Sequence, residues 1–591
     1  MQKDLSIAVL PFKNMSSDEE NEYFCDGITE EIINALAKID QLKVTSRTSS
    51  FHFKNKEIPI SEIAQTLEVT TILEGSVRLS GNVLRITGQL IEAKKDFHFW
   101  SETWDRKLEN IFEIQDEISL LIADKIRENF GHFEIQDHLV KKQTEDINVY
   151  ENSLMARFHK NKWNTEDIKI AEKLYLKAIE QDPNHVESIV GLSDVYSFMA
   201  MTGIMSFMEA WSKSNKLVNR AFALDPKNPE IFYQKANAAF FTDCNYSESL
   251  VLATKAIQLK PNYVEAQQFM SFLHVLSGNK QKAKEHLDIA LGIDPLSQET
   301  LFFSAYFDYM SEDFTSSLSK LNECIEANPR NLPAHSVKCL CLIMLGRLND
   351  VLHYFDKDDF TFVEGERLGA IALANAMKGN KTETEKNIEF FKDQAKSPDG
   401  FTLDSFLFML YASIGDLEKA FEWVSTAIEN KSTLLLLRYA DPIINPLKSD
   451  SRYEEYHRIL FSSTENSVKK KKKALLDEAT AATYKSRLLE HLKESEPFLD
   501  TDLSLRTLAE QIKIHPNQLS WLLNKNIGKS FNEFINAYRI EAFKKLVKDP
   551  KSVNFTLIGM AYDSGFNSKT VFNTYFKKET GLTPKQYVSI L

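Results

Sequence analysis

The stretch NYVEAQQFMSFLHVLSGNKQKAKEHLDIALGIDP, residues 262–295, decides how most of this chain folds. Its first half has small and apolar residues at helical spacing, Gly278 marks a turn, and its second half is an amphipathic helix that ends before Pro295. Prolines recur at intervals of 43, 35, 34 and 34 residues, at Pro183, Pro226, Pro261, Pro295 and Pro329. The pattern therefore predicts stacked helical pairs of about 34 residues, with one insertion near Met201–Met208.

This spacing resembles tetratricopeptide repeats, which implies an all-α solenoid over residues 150–430. The segment 431–461 contains ADPIINPLKSDSRYEEYHRIL and resembles the stretch that closes such arrays. Two interpretations of the array stay open. Its concave face docks a peptide, a protein or another copy of the chain, or the array is a spacer.

Residues 5–130 predict a small α/β domain. Thr71–Leu79 and Val83–Ile91 alternate around a turn at Ser80-Gly81-Asn82, and Ile111–Phe130 has the spacing of an amphipathic helix. The stretches IAVLPFKNMSSDEENEYFCDGITEEIINALAKI and ILEGSVRLSGNVLRITGQLIEA resemble the TolB-like amino-terminal domain. In bacterial proteins that domain is joined to tetratricopeptide repeats and to an output module, either a nucleotide cyclase or a DNA-binding domain. The resemblance implies an architecture and no catalytic role.

The charge of the 591 residues is divided unevenly. Residues 469–591 contain 21 Lys and Arg against 13 Asp and Glu, a net charge of +8, which leaves −21 for residues 1–468 because the whole chain carries −13. The basic linker 462–474, SSTENSVKKKKKA, separates the two parts. A basic tail on an acidic body indicates a polyanionic partner for the tail, although a solvated basic surface would look the same.

Cysteine usage and hydropathy indicate a cytoplasmic protein. The five cysteines form no CxxC pair and no Cys/His ligand spacing, so we interpret them as reduced thiols and expect no metal site. The apolar runs are far shorter than the ~20 residues that span a bilayer, and the amino terminus lacks the pattern of a secretory signal. We expect no membrane association.

The carboxyl-terminal residues predict two helix-turn-helix units. In the first, Leu503–Ile512 and Pro516–Lys525 are short amphipathic helices on either side of a break. In the second, Gly565 supplies the turn before a helix over Ser568–Lys578. Between the units, Phe531–Lys548 is long enough for a helix of roughly 27 Å, which would hold two recognition helices about one DNA turn apart.

This tandem arrangement resembles the AraC family DNA-binding domain over residues 484–591. The second half carries the more specific signal, in which TLIGMAYDSGF is followed by aromatic residues at helical spacing and then by GLTPKQY. The resemblance implies base contacts from seven side chains: Lys569, Thr570, Asn573 and Thr574 in the second recognition helix, and Asn517, Ser520 and Trp521 in the first. Lys can donate to guanine, Asn can pair with adenine, and a Thr methyl or a Trp face can contact a thymine methyl.

Basic side chains beside these helices are the predicted phosphate contacts, namely Arg539, Lys544, Lys545 and Lys577. His515 stands where the family commonly has a Ser cap, and Ser520 and Trp521 replace long polar residues. For Trp521 a second interpretation stays open, that of a partly buried surface aromatic.

No catalytic motif is present, so we predict that the protein is not an enzyme and binds no cofactor. The leading hypothesis is a sequence-specific transcription regulator that binds double-stranded DNA, in which the α/β domain and the repeats sense a ligand or a protein partner. The alternative is a repeat-based interaction scaffold with a non-specific nucleic-acid tether. An enzyme with an unrecognised site in residues 5–130 is the weakest hypothesis, and a homodimer is a further candidate assembly.

Overall fold

The computed structural model describes residues 5–16, 22–39, 41–80, 83–95, 97–107, 111–136, 138–139, 144, 146–160, 162, 164–356, 364–395, 400–432, 434–462, 476–549 and 555–589. The predicted turn residues Gly81 and Asn82 and the predicted linker from residue 463 onward lie outside these residues. Contacts divide the chain into two compact units. The first combines residues 1–45 and 53–141 with 467–591, and the second comprises 46–52 and 142–466.

The amino-terminal part has a mixed sheet with helices. In chain order its elements are β1 (Ser6–Val9), β2 (Lys13–Asn14), α1 (Glu22–Leu36), β3 (Lys43–Val44), α2 (Arg47–Phe51), α3 (Ile60–Thr66), β4 (Thr71–Ser80), β5 (Val83–Glu92), β6 (Phe97–Lys107) and α4 (Ile111–Phe130). The strand order is β3-β1-β4-β5-β6, and β2 also pairs with β4. The pairs that involve β1, β2 and β3 are parallel, whereas β4, β5 and β6 form an antiparallel meander.

The predicted hairpin is found, because β4 and β5 pair from Thr71 with Glu92 to Ser80 with Val83. The helix predicted over Ile111–Phe130 is α4. Strand β6, of which only an apolar end at His98 and Trp100 was expected from the sequence, continues the meander, with an irregularity of register between Leu90 and Ile91. Its residues are largely exposed, so it lacks the apolar alternation that would have revealed it.

The second unit is a helical array. Its helices are α5 (Ile147–Lys160), α6 (Thr165–Gln181), α7 (Val186–Thr202), α8 (Phe207–Leu224), α9 (Pro229–Phe241), α10 (Tyr246–Leu259), α11 (Val264–Leu276), α12 (Lys280–Ile293), α13 (Gln298–Met310), α14 (Phe314–Ala327), α15 (Leu332–Met344), α16 (Leu348–Leu352), α17 (Glu364–Met377), α18 (Lys381–Gln394), α19 (Phe401–Ser413), α20 (Leu417–Glu429), α21 (Leu435–Tyr439) and α22 (Ser451–Phe461), with a 3-10 segment at Pro442–Ser449. Helix α2 belongs to this unit, where Ser49 donates a 2.6 Å hydrogen bond to buried Asp294.

Helix caps repeat with the period of the prolines. The N-caps of α10, α12 and α14 are Asn245, Asn279 and Asp313, each 34 residues from the next, and each accepts a hydrogen bond from the backbone N–H three residues later. One continuous apolar core runs through these repeats and the closing segment, from Ala236 to Phe461. The predicted multidomain fold class, with a small α/β part, a tetratricopeptide-like solenoid and a helical carboxyl-terminal domain, is confirmed.

The carboxyl-terminal part of the first unit is all helical. It consists of α23 (Glu478–Ser495), a 3-10 turn (Pro497–Leu499), α24 (Leu505–Gln511), α25 (Pro516–Trp521) with a π-helical continuation (Leu522–Ile527), α26 (Phe531–Lys548), α27 (Leu557–Asp563), α28 (Lys569–Thr580) and α29 (Pro584–Ser589). Helix α26 has the predicted bounds and contributes to two cores: Phe531 and Phe534 pack with α24 and α25, whereas Ile540 and Phe543 pack with α27 and α28.

The five cysteines are unpaired, and all except the half-buried Cys244 are buried. Burial raises the pKa of the Cys25 thiol to about 12, so this group stays protonated at neutral pH. Among the described residues, no helix is both long and apolar enough to cross a membrane.

Candidate nucleic-acid interface

Helix α28 is held by aromatic packing on one side. Phe572 and Phe576 are buried and contact Phe543 of α26, with ring centroids 4.7 and 5.4 Å apart. The helix begins at the N-cap Ser568, whose Oγ accepts from the Val571 N–H, and ends at Gly581 with a φ of 74°. The orientation of α28 is therefore fixed by residues that do not face the solvent.

The opposite side of α28 carries the four predicted base contacts. Lys569, Thr570, Asn573 and Thr574 are all exposed, and within the described residues none of these side chains has a hydrogen-bond partner. Three of them, Lys569, Asn573 and Thr574, border an open surface groove together with side chains of α27 and of the start of α29. The groove is lined by Leu557, Ile558, Lys569, Phe572, Asn573, Thr574, Lys577, Thr583, Pro584 and Lys585. Three of the lining residues are lysines, so the groove is positively charged.

Helix α25 starts with a capping box built on an unusual residue. The His515 Nδ1 accepts from the Asn517 N–H at 3.2 Å, and the Gln518 side chain accepts from the His515 N–H at 3.1 Å. Pro516 occupies the first helical position, where its missing N–H costs nothing. His515 thus replaces the Ser that the family commonly has at this place.

The three predicted base contacts of α25 differ from those of α28. Ser520 is fully buried, which corrects the expectation that it points outward. Trp521 is half-buried and packs on the apolar core of this half, as the second interpretation of that residue expects. The Asn517 side chain is engaged with residues of the amino-terminal part.

The predicted phosphate contacts also separate into two groups. Lys545 and Lys577 are exposed, and half-buried Lys544 forms an ion pair of 2.7 Å with exposed Glu541. Arg539 instead donates from Nε to the Phe498 carbonyl and from Nη2 to the Asp500 carbonyl, both at 2.7 Å. Burial lowers the pKa of Arg539 to about 10. Its prediction as a phosphate contact is therefore corrected, because the guanidinium ties α26 to the turn after α23.

Gly565, which the sequence indicated only as a turn, also makes a close packing contact with the segment after α23. Its φ is 91°, and a Cβ there would lie 2.2 Å from the Phe498 carbonyl oxygen and 3.0 Å from Arg539 Nε. The turn before α28 thus packs directly on the backbone that Arg539 holds. The stretch AYDSGF, residues 561–566, indicated that Gly565 forms a turn. The sequence did not indicate its contact with Phe498, which lies 67 positions earlier in the chain.

No group of three or more His, Cys, Asp or Glu among the described residues is arranged to hold a metal ion. Helix α28 presents the candidate base contacts that are exposed, namely Lys569, Thr570, Asn573 and Thr574. Side chains of α28 can donate to and accept from the edges of DNA bases, and the neighbouring lysines can contact phosphates.

Two protein-family models match parts of this chain. Residues 508–589 match a helix-turn-helix domain, and residues 2–121 match the second domain of HilA/YgeH-like transcriptional regulators. The second match covers the part of the chain that resembles the TolB-like domain, and that resemblance stays a prediction.

Several curated proteins are similar to parts of the chain. A putative adenylate cyclase of Rhizobium meliloti is 33% identical over 243 residues, which are 39% of this chain and 40% of that protein. An uncharacterized HTH-type transcriptional regulator of Staphylococcus aureus is 36% identical over 86 residues, 15% of this chain and 11% of that protein. The melibiose operon regulatory protein of Escherichia coli is 26% identical over 107 residues, 18% of this chain and 33% of that protein. The chain thus spans less than half the length of each of these relatives.

Among solved structures, the P58(IPK) TPR domain aligns with 52% of this chain and 98% of its own, at 14% identity and a TM-score of 0.16, a value that carries no argument about the fold. The helix-turn-helix match and the tandem geometry define the carboxyl-terminal part as a DNA-binding type of domain. The family resemblance seen in the sequence is confirmed: the chain carries a helix-turn-helix domain of the AraC type together with a regulator-type amino-terminal domain and tetratricopeptide-like repeats.

Proposed function

We propose that the chain is a sequence-specific transcription regulator that binds double-stranded DNA in the cytoplasm through its carboxyl-terminal domain. One observation carries the proposal. Helix α28 buries its aromatic stripe on Phe543 and turns a contiguous set of exposed polar side chains away from it. A helix anchored in this way can enter the major groove without losing its own core contacts.

The proposed base contacts follow from the chemistry of the exposed side chains. Lys569 can donate to guanine O6 and N7, and Asn573 can pair with the N6 and N7 atoms of adenine. Thr570 and Thr574 offer methyl groups to thymine. Lys545 and Lys577 are proposed to position the domain on phosphates, which carry no sequence information.

Selection of duplexes tests the proposal. A random library about 40 base pairs long is presented to the full-length chain at ~150 mM salt, because binding at low salt would hide sequence preference. We expect an enriched motif that Asn573→Ala changes at one position. The matched control is Asn430→Ala, an exposed asparagine at the end of α20 in the repeats, which is expected to enrich the same motif as the wild type. If no motif is enriched, the result would favour the alternative function, a repeat-based interaction scaffold whose carboxyl-terminal domain binds nucleic acid without sequence specificity.

We propose further that the repeats carry the sensing role and bind a protein or peptide partner, or a second copy of the chain. Polar side chains link the first helices of successive pairs in the array: Lys160 of α5 pairs with Asp194 of α7 at 2.5 Å, and Gln234 of α9 donates to Asp194 at 2.8 Å. Sedimentation of the full-length chain over a range of concentrations separates the two kinds of partner. A concentration-dependent dimer supports a second copy, whereas a monomer at all concentrations removes the second copy from the proposal and leaves a different protein as the partner to be tested.

The chain is proposed to be a regulator without catalytic activity. One similar protein is named a putative adenylate cyclase, but the match covers 40% of that protein. The test is an adenylate cyclase assay of the full-length chain with ATP and Mg²⁺. Turnover above that of a heat-denatured sample would revive the enzyme hypothesis.

A further inference from the structure

The end of α4 and the segment after it pack against the first helix-turn-helix within the same compact unit. Three charged side chains of α4, Asp124, Arg127 and Glu128, lie in this contact and are each at most 5% exposed. Charged groups are rarely buried to this extent unless they are paired. All three have partners across the contact.

The acidic side chains bind the start of α24. Glu128 Oε1 accepts a 2.7 Å hydrogen bond from the Leu505 N–H, and Asp124 Oδ2 accepts from Arg506 Nε at 3.1 Å. Asp124 Oδ1 also accepts from Arg127 at 2.5 Å, which places the Arg127 guanidinium beside α25. The contact is therefore an ordered network of charge-assisted hydrogen bonds.

Asn517 lies at the centre of this contact. Its Oδ1 accepts from the Ile135 N–H at 3.1 Å and from Arg127 Nη1, and its Nδ2 donates to the Ile135 carbonyl at 3.1 Å. The backbone of Ile135 thus offers one donor and one acceptor to the amide. Adenine offers the same pair in the major groove, where N6 donates and N7 accepts.

A second position shows how closely the two parts approach. Gly131 has a φ of 127°, and a Cβ there would lie 3.1 Å from the Asn524 Oδ1 in the continuation of α25. The segment after α4 therefore runs along the recognition helix from Asn517 to Asn524.

We propose that the amino-terminal domain masks the first recognition helix by presenting, at Ile135, backbone groups that take the place of adenine on Asn517. This inference rests on the proposed function and adds a way in which DNA binding is regulated. Ile135 occupies the edge of the Asn517 amide that carries one oxygen lone pair and one N–H, and Arg127 takes the second lone pair of Oδ1. The amide therefore cannot form a bidentate pair with adenine in this arrangement. DNA and segment 124–135 then compete for the same edge, and α28 is the helix that stays available in the masked state.

The test uses the full-length chain and two release variants. Arg506→Glu places a negative charge opposite Asp124 at a side chain that is 43% exposed, so the substitution itself opens no buried cavity. Asp124→Ala/Arg127→Ala removes the contacts of Asp124 with Arg506 and of Arg127 with Asn517 from the α4 side and leaves the sequence of α25 unchanged. The control is Arg106→Ala, which breaks the exposed ion pair with Glu117 in the same domain. Two quantities are measured, the amide exchange rates of Leu505 and Ile135 and the affinity for a random duplex library about 40 base pairs long at ~150 mM salt.

We expect both release variants to exchange these two amides faster than wild type and to bind DNA about tenfold or more tightly, because the apparent affinity scales with the unmasked fraction. A gain for Arg506→Glu is decisive, since the loss of a positive charge by itself weakens attraction to phosphate. Arg106→Ala is expected to match the wild type.

Three outcomes overturn the masking. Faster exchange without tighter binding, while Lys569→Ala still weakens binding, removes masking and leaves the proposed function intact. Unchanged exchange in both variants shows that these contacts do not hold the segment. Equal affinity for every variant, Lys569→Ala included, removes the proposed function and the masking together.

Discussion

Replacement of Gly565 by alanine tests whether the turn before α28 fixes that helix. The residue has a φ of 91°, a conformation that costs an alanine about 1–2 kcal/mol. The new Cβ would also lie 2.2 Å from the Phe498 carbonyl oxygen, which cannot retreat freely because Arg539 holds it at 2.7 Å. Overpacking of this kind costs a further 1–3 kcal/mol, roughly. We expect Gly565→Ala to lower the unfolding free energy of this domain by about 2–5 kcal/mol.

Gly581→Ala is the matched control, because Gly581 has a similar φ of 74° and a methyl group added there would meet no atom of the described residues within 4 Å. It is expected to cost about 1–2 kcal/mol, the backbone contribution alone. The assay is amide exchange of peptides from α26 in the full-length chain over a urea series, since a single unfolding curve is ambiguous for a chain of several domains. Equal losses for the two variants would refute the contact between the turn and the Phe498 backbone as a source of stability.

Three further predictions concern other parts of the chain. Lys569→Ala and Asn573→Ala should each cost about 1–3 kcal/mol of binding free energy at particular base pairs of a selected duplex, and uniform weakening across single-base variants would count against base reading. Burial raises the pKa of Asp294 to about 6 despite hydrogen bonds from Ser46 and Ser49, so the repeat unit should gain stability as the pH falls from about 6 towards 4. Asp294→Asn should remove up to about 3 kcal/mol of that gain in urea unfolding at the two pH values, and an unchanged pH slope would contradict the assignment. Tyr309→Phe removes a 2.7 Å hydrogen bond to buried Asp441 and should destabilise the repeats by about 1–3 kcal/mol, whereas a neutral effect in the same assay would show that Asp441 finds another donor.

The sequence by itself determined the local features of this protein. The 34-residue period, the hairpin of β4 and β5, the bounds of α4 and α26, and the aromatic stripe of α28 all depend on residues within one or two turns or strands of each other. Residue spacing, helix-capping residues and turn residues predict such features. For that reason the exposed face of α28 could be predicted residue by residue.

Only the tertiary structure decided what the remaining candidate residues do. Ser520 is buried by the packing of its domain, Arg539 is bound to carbonyls 39 and 41 positions earlier, and Asn517 is held by Ile135, 382 positions away. A hydrogen bond between backbone and side chain over such a separation leaves no periodicity in the sequence. The partners of a polar side chain depend on which elements the whole fold brings beside it. In the first recognition helix, the residue type therefore shows that Asn517 is chemically suited to bind a base, whereas only the tertiary structure shows that its amide is already hydrogen-bonded.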